Sequence, residues 1–155
     1  MPKITITTDG GSRSNPGKSA CGFVIYQVNN FVSVNSGTFN LKELINTNNI
    51  LIHQEGFYLG IQTNNYAEWM GLLKALEWLS NNYDLSQVEL QILADSNLVI
   101  QQLLRKWKIK DLNLQKIAIE VFRYTSQIDN LIASHIYREY NKEADALVNQ
   151  VLDNL

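Results

Sequence analysis

Between Lys3 and Asp9 the chain alternates apolar and polar side chains, with Ile4 and Ile6 set among Lys3, Thr5 and Thr7. A period of two predicts a strand over residues 3–9 with one face in a core. Residues 20–28 are mostly apolar and predict a second strand. Phe31-Val32-Ser33-Val34 opens a third after the turn signal Asn29-Asn30. The window 27–58 holds only three charged residues (Lys42, Glu43, Glu55) and seven asparagines. Its middle, 40–55, therefore reads as a loop with an extra hairpin or short helix. Phe57–Ile61 reads as a strand leading into the next motif.

Beyond residue 65 the period changes. Trp69, Leu72, Leu73, Leu76 and Leu79 recur at helical spacing and predict a helix over 66–80, stopped by Asn81-Asn82. Val88, Leu90 and Ile92 alternate in a further strand. Helices follow at 97–105 and 113–127, then a last strand at 131–137 and a closing helix at 142–152 with Ala144, Leu147, Val148 and Val151 on one face. Three early strands followed by helix–strand–helix units predict an α/β fold with a mixed sheet. Neither repeats nor a low-complexity linker interrupt the chain.

Composition narrows this picture without redirecting it. The 155 residues fit one domain, 1–155, large enough for a real core. No signal-peptide pattern and no apolar run of membrane-spanning length is present, so a cytoplasmic location and no membrane partner are expected. The single cysteine, Cys21, sits in the apolar run Ala20–Tyr26 and reads as a small buried hydrophobe in a reducing compartment. One cysteine and two histidines make a thiolate zinc site untenable, so any metal is a hard cation on oxygen ligands, such as Mg²⁺ or Mn²⁺. A net charge of −2 and a pI near 5.6 argue against a strongly basic, sequence-independent nucleic-acid binder.

Four acids stand out by position. Asp9 ends the first strand and precedes Gly10-Gly11, read as a sharp turn; Glu68 follows Thr63-Asn64-Asn65-Tyr66-Ala67. Asp95 lies between strand and helix, and Asp145 lies in the closing helix. Each has an ordinary explanation: a hairpin turn for Asp9, a capping box with Asn65 for Glu68, a helix cap for Asp95, a solvated face for Asp145. Together they suit another one, since phosphodiester chemistry on two divalent cations needs several carboxylates converging from one sheet edge.

With these motifs in order, the chain resembles type 1 ribonuclease H. The resemblance rests on Thr8–Gly17, Thr63–Glu68, Ala94–Val99 and the stretch from His135 to Asn149. It implies a ribonuclease H-like five-stranded mixed sheet flanked by helices, the first three strands antiparallel and the later two parallel to the first. It implies hydrolysis of the RNA strand of RNA–DNA hybrids with two Mg²⁺ or Mn²⁺ ions, Asp9 bridging and Glu68, Asp95 and Asp145 completing the site. It also implies substrate contacts from Asn15, Asn64 and Asn65 in the minor groove, with Gly10, Gly11, Ser12, Thr63 and Ser96 beside them. Amide side chains suit that work because they both donate to and accept from 2′-hydroxyls.

The chain departs from the family in two places. His135 falls within strand periodicity with no long loop after it, so it is expected at a strand position, leaving Arg138 as the residue that reaches a phosphate or stays idle at the surface. The basic helical handle of longer relatives is missing: Arg105-Lys106-Trp107-Lys108-Ile109-Lys110 leads almost directly into the next helix. Lys106 and Lys108 there either track a phosphate backbone beside an aromatic or simply solvate a helix end. A monomer is expected. The rivals are a non-catalytic nucleic-acid-binding module that kept the fold and a phosphate-transfer enzyme of another kind. The first is weakened by the presence of all four acids, the second by the lack of another glycine-rich phosphate loop.

Overall fold

The computed structural model describes residues 1–46 and 48–155. Among the described residues, five strands form one mixed sheet in the order β3-β2-β1-β4-β5. They are β1 (Lys3–Ser12), β2 (Gly17–Val28), β3 (Ile50–Gln62), β4 (Glu89–Ala94) and β5 (Asn130–His135). The β1–β2 and β2–β3 pairs are antiparallel, while β1–β4 and β4–β5 are parallel, as expected. The helices are α1 (Leu41–Leu44), α2 (Asn64–Asn82), α3 (Asn97–Leu103), α4 (Leu112–Thr125) and α5 (Lys142–Asp153). Among the described residues no helix is long and apolar enough to cross a membrane.

Alternation in β1 sends its two faces to different partners. Ile4 and Ile6 join Phe23, Ile25, Leu90 and Ile92 under Trp69, Leu72, Leu76 and Leu79 of α2, with Val121 and Ile117 of α4 behind them. Each fully buried side chain of that size contributes roughly 1.5–3 kcal/mol, so this face holds most of the stability. The other face packs Val24, Tyr26, Val28 and Leu93 against Ala144 of α5 and the segment that carries Val32, Phe39 and Leu44. Cys21 is buried, and burial pushes its thiol up to about 12, as befits a packing residue.

Three expectations need correction. Phe31–Val34 is not a strand. Both edges of β2 are taken by β1 and β3, so this segment crosses the sheet face as a cover. Its backbone is satisfied by a side chain instead of a ladder: Gln91 Nε2 donates to Val32 O at 2.8 Å, and Val32 N donates to Gln91 Oε1 at 3.2 Å. The third strand begins at Ile50, inside the region read as a loop, and the short helix expected there is α1. Thr47, in the 40–55 segment, lies outside the described residues.

Gly10 and Gly11 do not turn the chain. They continue β1, paired with Cys21 and Ala20, and the reversal comes later, closed by Arg13 N donating to Lys18 O at 2.9 Å. What Gly10 permits is contact: a Cβ there would stand 2.2 Å from the backbone carbon of Ala67 in α2. Beside Gly11 nothing lies within 4 Å of the corresponding point. Gly10→Ala is therefore expected to destabilise by about 1–3 kcal/mol or more, and Gly11→Ala to be neutral or stabilising by up to about 1 kcal/mol. Urea unfolding of both variants checks this, and equal midpoints would remove the contact argument.

Candidate metal centre

The end of β1 carries Asp9 into a buried position beside the end of β4, where Thr8 pairs with Ala94 and Asp95 follows. The backbone of α2 comes in over the strand, because Gly71 lets it approach Asp9 O as Gly10 lets it approach β1. That approach delivers Glu68. From the opposite side α5 lies against Gly22, the β2 partner of Asp9, where an added Cβ would meet Leu147 Cβ at 2.9 Å. One carboxylate oxygen from each of Asp9, Glu68 and Asp95 lies within 4.8 Å of the others. Asp145 stands slightly outside this trio. Its Oδ1 is 3.8 Å from Arg138 Nη2, and its Oδ2 accepts from Asn149 Nδ2 at 3.2 Å.

The ordinary explanations for these acids are taken up by other residues. Thr63, not Asn65, caps α2, its hydroxyl accepting from Tyr66 N at 3.2 Å. Glu68 then lies too far along the helix to reach back to the cap. Ser96 caps α3, accepting from Val99 N at 3.3 Å, which leaves Asp95 free. Asp9 sits inside a ladder, not in a turn.

Three carboxylates packed this closely have their pKa values raised. Burial first, then Asp95 and Asp145, push Asp9 up to about 8, against the pull of the Gly10 N–H. Burial and then Asp9 and Asp95 raise Glu68 well above the usual carboxylate range. Asp95 is raised mainly by burial, with Asp9, Asn141 and Arg138 working the other way. Glu68 Oε2 is enclosed and accepts no hydrogen bond. An oxygen-only donor set, mutual repulsion and an orphaned carboxylate oxygen fit a hard divalent cation.

A cleft of about 560 Å³ opens beside the trio. It brings together Asp9, Gly10, Gly11, Ser12, Asn64, Asn65, Glu68, Asp95, Ser96, Arg138 and Asp145. Asn15 lies just outside, its Oδ1 accepting from Asn64 N at 3.1 Å, while Asn64 Oδ1 accepts from Ser12 N at 2.8 Å and Ser12 Oγ at 3.0 Å. Lys106 and Lys108 are not at the cleft. They are exposed on the connection between α3 and α4, where Gln102 Nε2 donates to Lys108 O at 3.2 Å and Arg105 lies 4.2 Å over the Phe122 ring. His135 ends β5, in strand register with Ala94, as expected.

Sequence reasoning passed over Arg13 and Asn149, which also line the cleft. Arg13 Nη2 donates to Asp153 Oδ1 at 2.7 Å. Both residues fall inside the motif stretches already singled out, but nothing in their spacing marks them. It also passed over Asn141, which stands at the N-cap of α5.

A family model described as reverse transcriptase-like matches residues 7–151. The bifunctional protein Rv2228c of Mycobacterium tuberculosis is 28% identical over 151 residues, 97% of this chain and 36% of that protein. The ribonuclease HI of Halobacterium salinarum is 32% identical over 146 residues, 94% of this chain and 62% of that protein. The chain thus spans about a third of the mycobacterial relative's length. Among solved structures, the N-terminal RNase H domain of Rv2228c superposes with a TM-score of 0.81 at 27% identity, covering 99% of this chain and 96% of that one. LC11-RNase H1 in complex with an RNA/DNA hybrid gives a TM-score of 0.76 at 32% identity, covering 97% of each chain.

The raised acids set the pH dependence of the metal-free protein. In the unfolded chain Asp9 ionises near its usual value of 3.8, whereas in the native state it holds its proton to about 8. Between those values folding takes up a proton, so this contribution to stability is complete at low pH and is lost as pH rises through about 8. With chelator present, the melting temperature should fall between about pH 5 and pH 8, and Asp9→Asn should flatten that fall. Millimolar Mg²⁺ or Mn²⁺ should restore the wild-type chain at the upper end by binding the native state. Thermal melts across pH, with chelator and with each cation, test this; a wild-type profile insensitive to both cations would rule the centre out.

Proposed function

We propose that this chain, which belongs to the ribonuclease H-like family, is a metal-dependent endoribonuclease that hydrolyses the RNA strand of RNA–DNA hybrids. The observation that carries the reading is the convergence of Asp9, Glu68 and Asp95, with ligand atoms within 4.8 Å, beside an open polar cleft. Asp9, Glu68, Asp95 and Asp145 would hold two Mg²⁺ or Mn²⁺ ions, which would supply activation of water and stabilisation of a leaving 3′-oxygen, chemistry that would give 5′-phosphate and 3′-hydroxyl ends. In this reading Asp9, at the centre of the group, would contribute to holding both ions, with Glu68, Asp95 and Asp145 completing the set.

The remaining work falls to the chain's own side chains. Asn15, Asn64 and Asn65, with Gly10, Gly11, Ser12, Thr63 and Ser96 around them, hold the RNA strand and read its 2′-hydroxyls. The Ser12–Asn64–Asn15 hydrogen bonds support this, since they fix the amides before substrate arrives. Arg138, an exposed cation 3.8 Å from Asp145, is suited to steady a phosphate at the cleft. The relative solved with an RNA/DNA hybrid supports the choice of substrate.

The chain fits a short-loop form of the family. Only a 3₁₀ turn at Arg138–Tyr140 separates β5 from α5, and no helix intervenes between Leu103 and Leu112 where a handle would stand. The reading takes residues 1–155 as one catalytic domain, acting as a monomer in the cytoplasm. Lys106 and Lys108, remote from the cleft, would meet the hybrid only along its backbone.

A cleavage assay with each strand of a hybrid labelled in turn tests the reading. RNA-strand cutting with Mg²⁺ or Mn²⁺ and 5′-phosphate products are expected. Asp9→Asn should lower the rate on the order of a thousandfold or more while leaving the fold intact. Equal cutting of the DNA strand, or 2′,3′-cyclic ends, would overturn it.

Because the chain is acidic and lacks a handle, hybrid affinity should fall only shallowly with salt. Replacing Lys106 and Lys108 together by Ala should weaken binding more than it slows single-turnover cutting at saturation. Unchanged affinity in that double variant would remove the basic segment from the binding surface.

A further inference from the structure

We infer that Asn141 is a positioning residue, whose buried amide holds the start of α5, which carries Asp145, against β1 beside Asp9 for binding of a shared divalent cation; the inference rests on the metal centre proposed above. Asn141 stands at the N-cap of α5, where an Asn side chain ordinarily accepts a hydrogen bond from the first turn. Here it makes no such bond. The side chain turns inward instead, and the residue is only 1% exposed. Its Nδ2 donates to Thr8 O at 2.8 Å, on the residue immediately before Asp9. The Asn141 carbonyl accepts from Asp145 N at 3.1 Å. One residue therefore ties β1, at the residue before Asp9, to the first turn of α5, which carries Asp145.

Stability alone does not account for this arrangement. Giving up a cap hydrogen bond is destabilising, and Asn141 Oδ1 is buried without a partner, which costs further. A residue that only filled space or capped α5 would do better as a cap facing solvent. What the inward amide achieves is orientation. β1 and β4 are already laddered up to the residues before Asp9 and Asp95, whereas the start of α5, which carries Asp145, is held against β1 beside Asp9 by this amide. Groups that orient the ligands of a metal typically account for about 10–100-fold in metal affinity.

The test uses the full chain and the ion alone. Thermal melts against increasing Mn²⁺ give the concentration that produces half the stabilisation, for wild type, Asn141→Ala, Asn141→Ser and a core variant distant from the centre, Leu79→Ala. Both Asn141 variants should need about tenfold more Mn²⁺ or beyond. Leu79→Ala should lower the melting temperature with the wild-type Mn²⁺ midpoint. Hybrid cutting should show the same shift in Mn²⁺ requirement and recover substantially at saturating ion. Midpoints within twofold of wild type would overturn the inference. So would failure of both Asn141 variants to fold with ion present, since the residue would then hold the fold and not the centre. If the wild-type chain binds Mn²⁺ but cuts no hybrid, the proposed reaction fails while the midpoint comparison still decides the role of Asn141. If it binds no Mn²⁺, the inference falls with the centre.

Discussion

Like charges repel, and the rest of this structure is arranged around keeping three carboxylates together on the wall of an open cleft. Asp9, Glu68 and Asp95 come from three different elements, so no local sequence preference holds them there. The restraint is supplied at a distance. β1 is laddered on both sides, to β2 and to β4, and cannot shift without breaking two sets of hydrogen bonds. α2 is fixed by a large apolar cluster whose centre, around Trp69, Leu72 and Leu76, lies along the same helix as Glu68. The favourable term sits in the core, the unfavourable one at the sheet end, and rigid elements couple them.

Around the cleft, polar contacts join elements that the core does not. The hairpin between β1 and β2 reaches both helices that flank the centre: Asn15 and Ser12 bond to Asn64 on α2, and Arg13 bonds to Asp153 on α5. These are exposed interactions, and the Arg13 ion pair contributes little to overall stability. Their effect is geometric, because they set the width of the cleft mouth. Behind it, a buried chain from Trp69 Nε1 to Gln102 Oε1 and from Gln102 Nε2 to Lys108 O links the core to the basic connection.

Much of this was legible in the sequence because it depends on period and on order. The alternation of Ile4 and Ile6, the helical spacing from Trp69 to Leu79 and the sequence of motifs lead to the right sheet topology and to the acids at its end. Segments whose role is set by competition were not legible. Phe31–Val34 has the composition of a strand and loses that state only because β2 has no free edge. Asp-Gly-Gly has the composition of a turn and stays extended because β2 pairs with it as far as Ser12. Asn141 stands at a cap position and turns inward. In each case a local preference yields to a partner that is distant in the chain.

The cover over the second face has a consequence for how this architecture tolerates change. From Phe31 to Leu44 the chain is held by the Gln91 side-chain amide, by Tyr137 N donating to Gly37 O at 2.8 Å and by its own apolar residues, and it contributes no carboxylate to the centre. Its attachment to β4 is made near the middle of the strand, facing away from α2, so lengthening or shortening the cover leaves the register of β1 and β4 untouched. That makes the stretch between β2 and β3 the natural place for this architecture to gain or lose residues. A graft there, whether a tag, a reporter or a binding peptide, would alter the surface of the molecule while the reactive end of the sheet kept its shape.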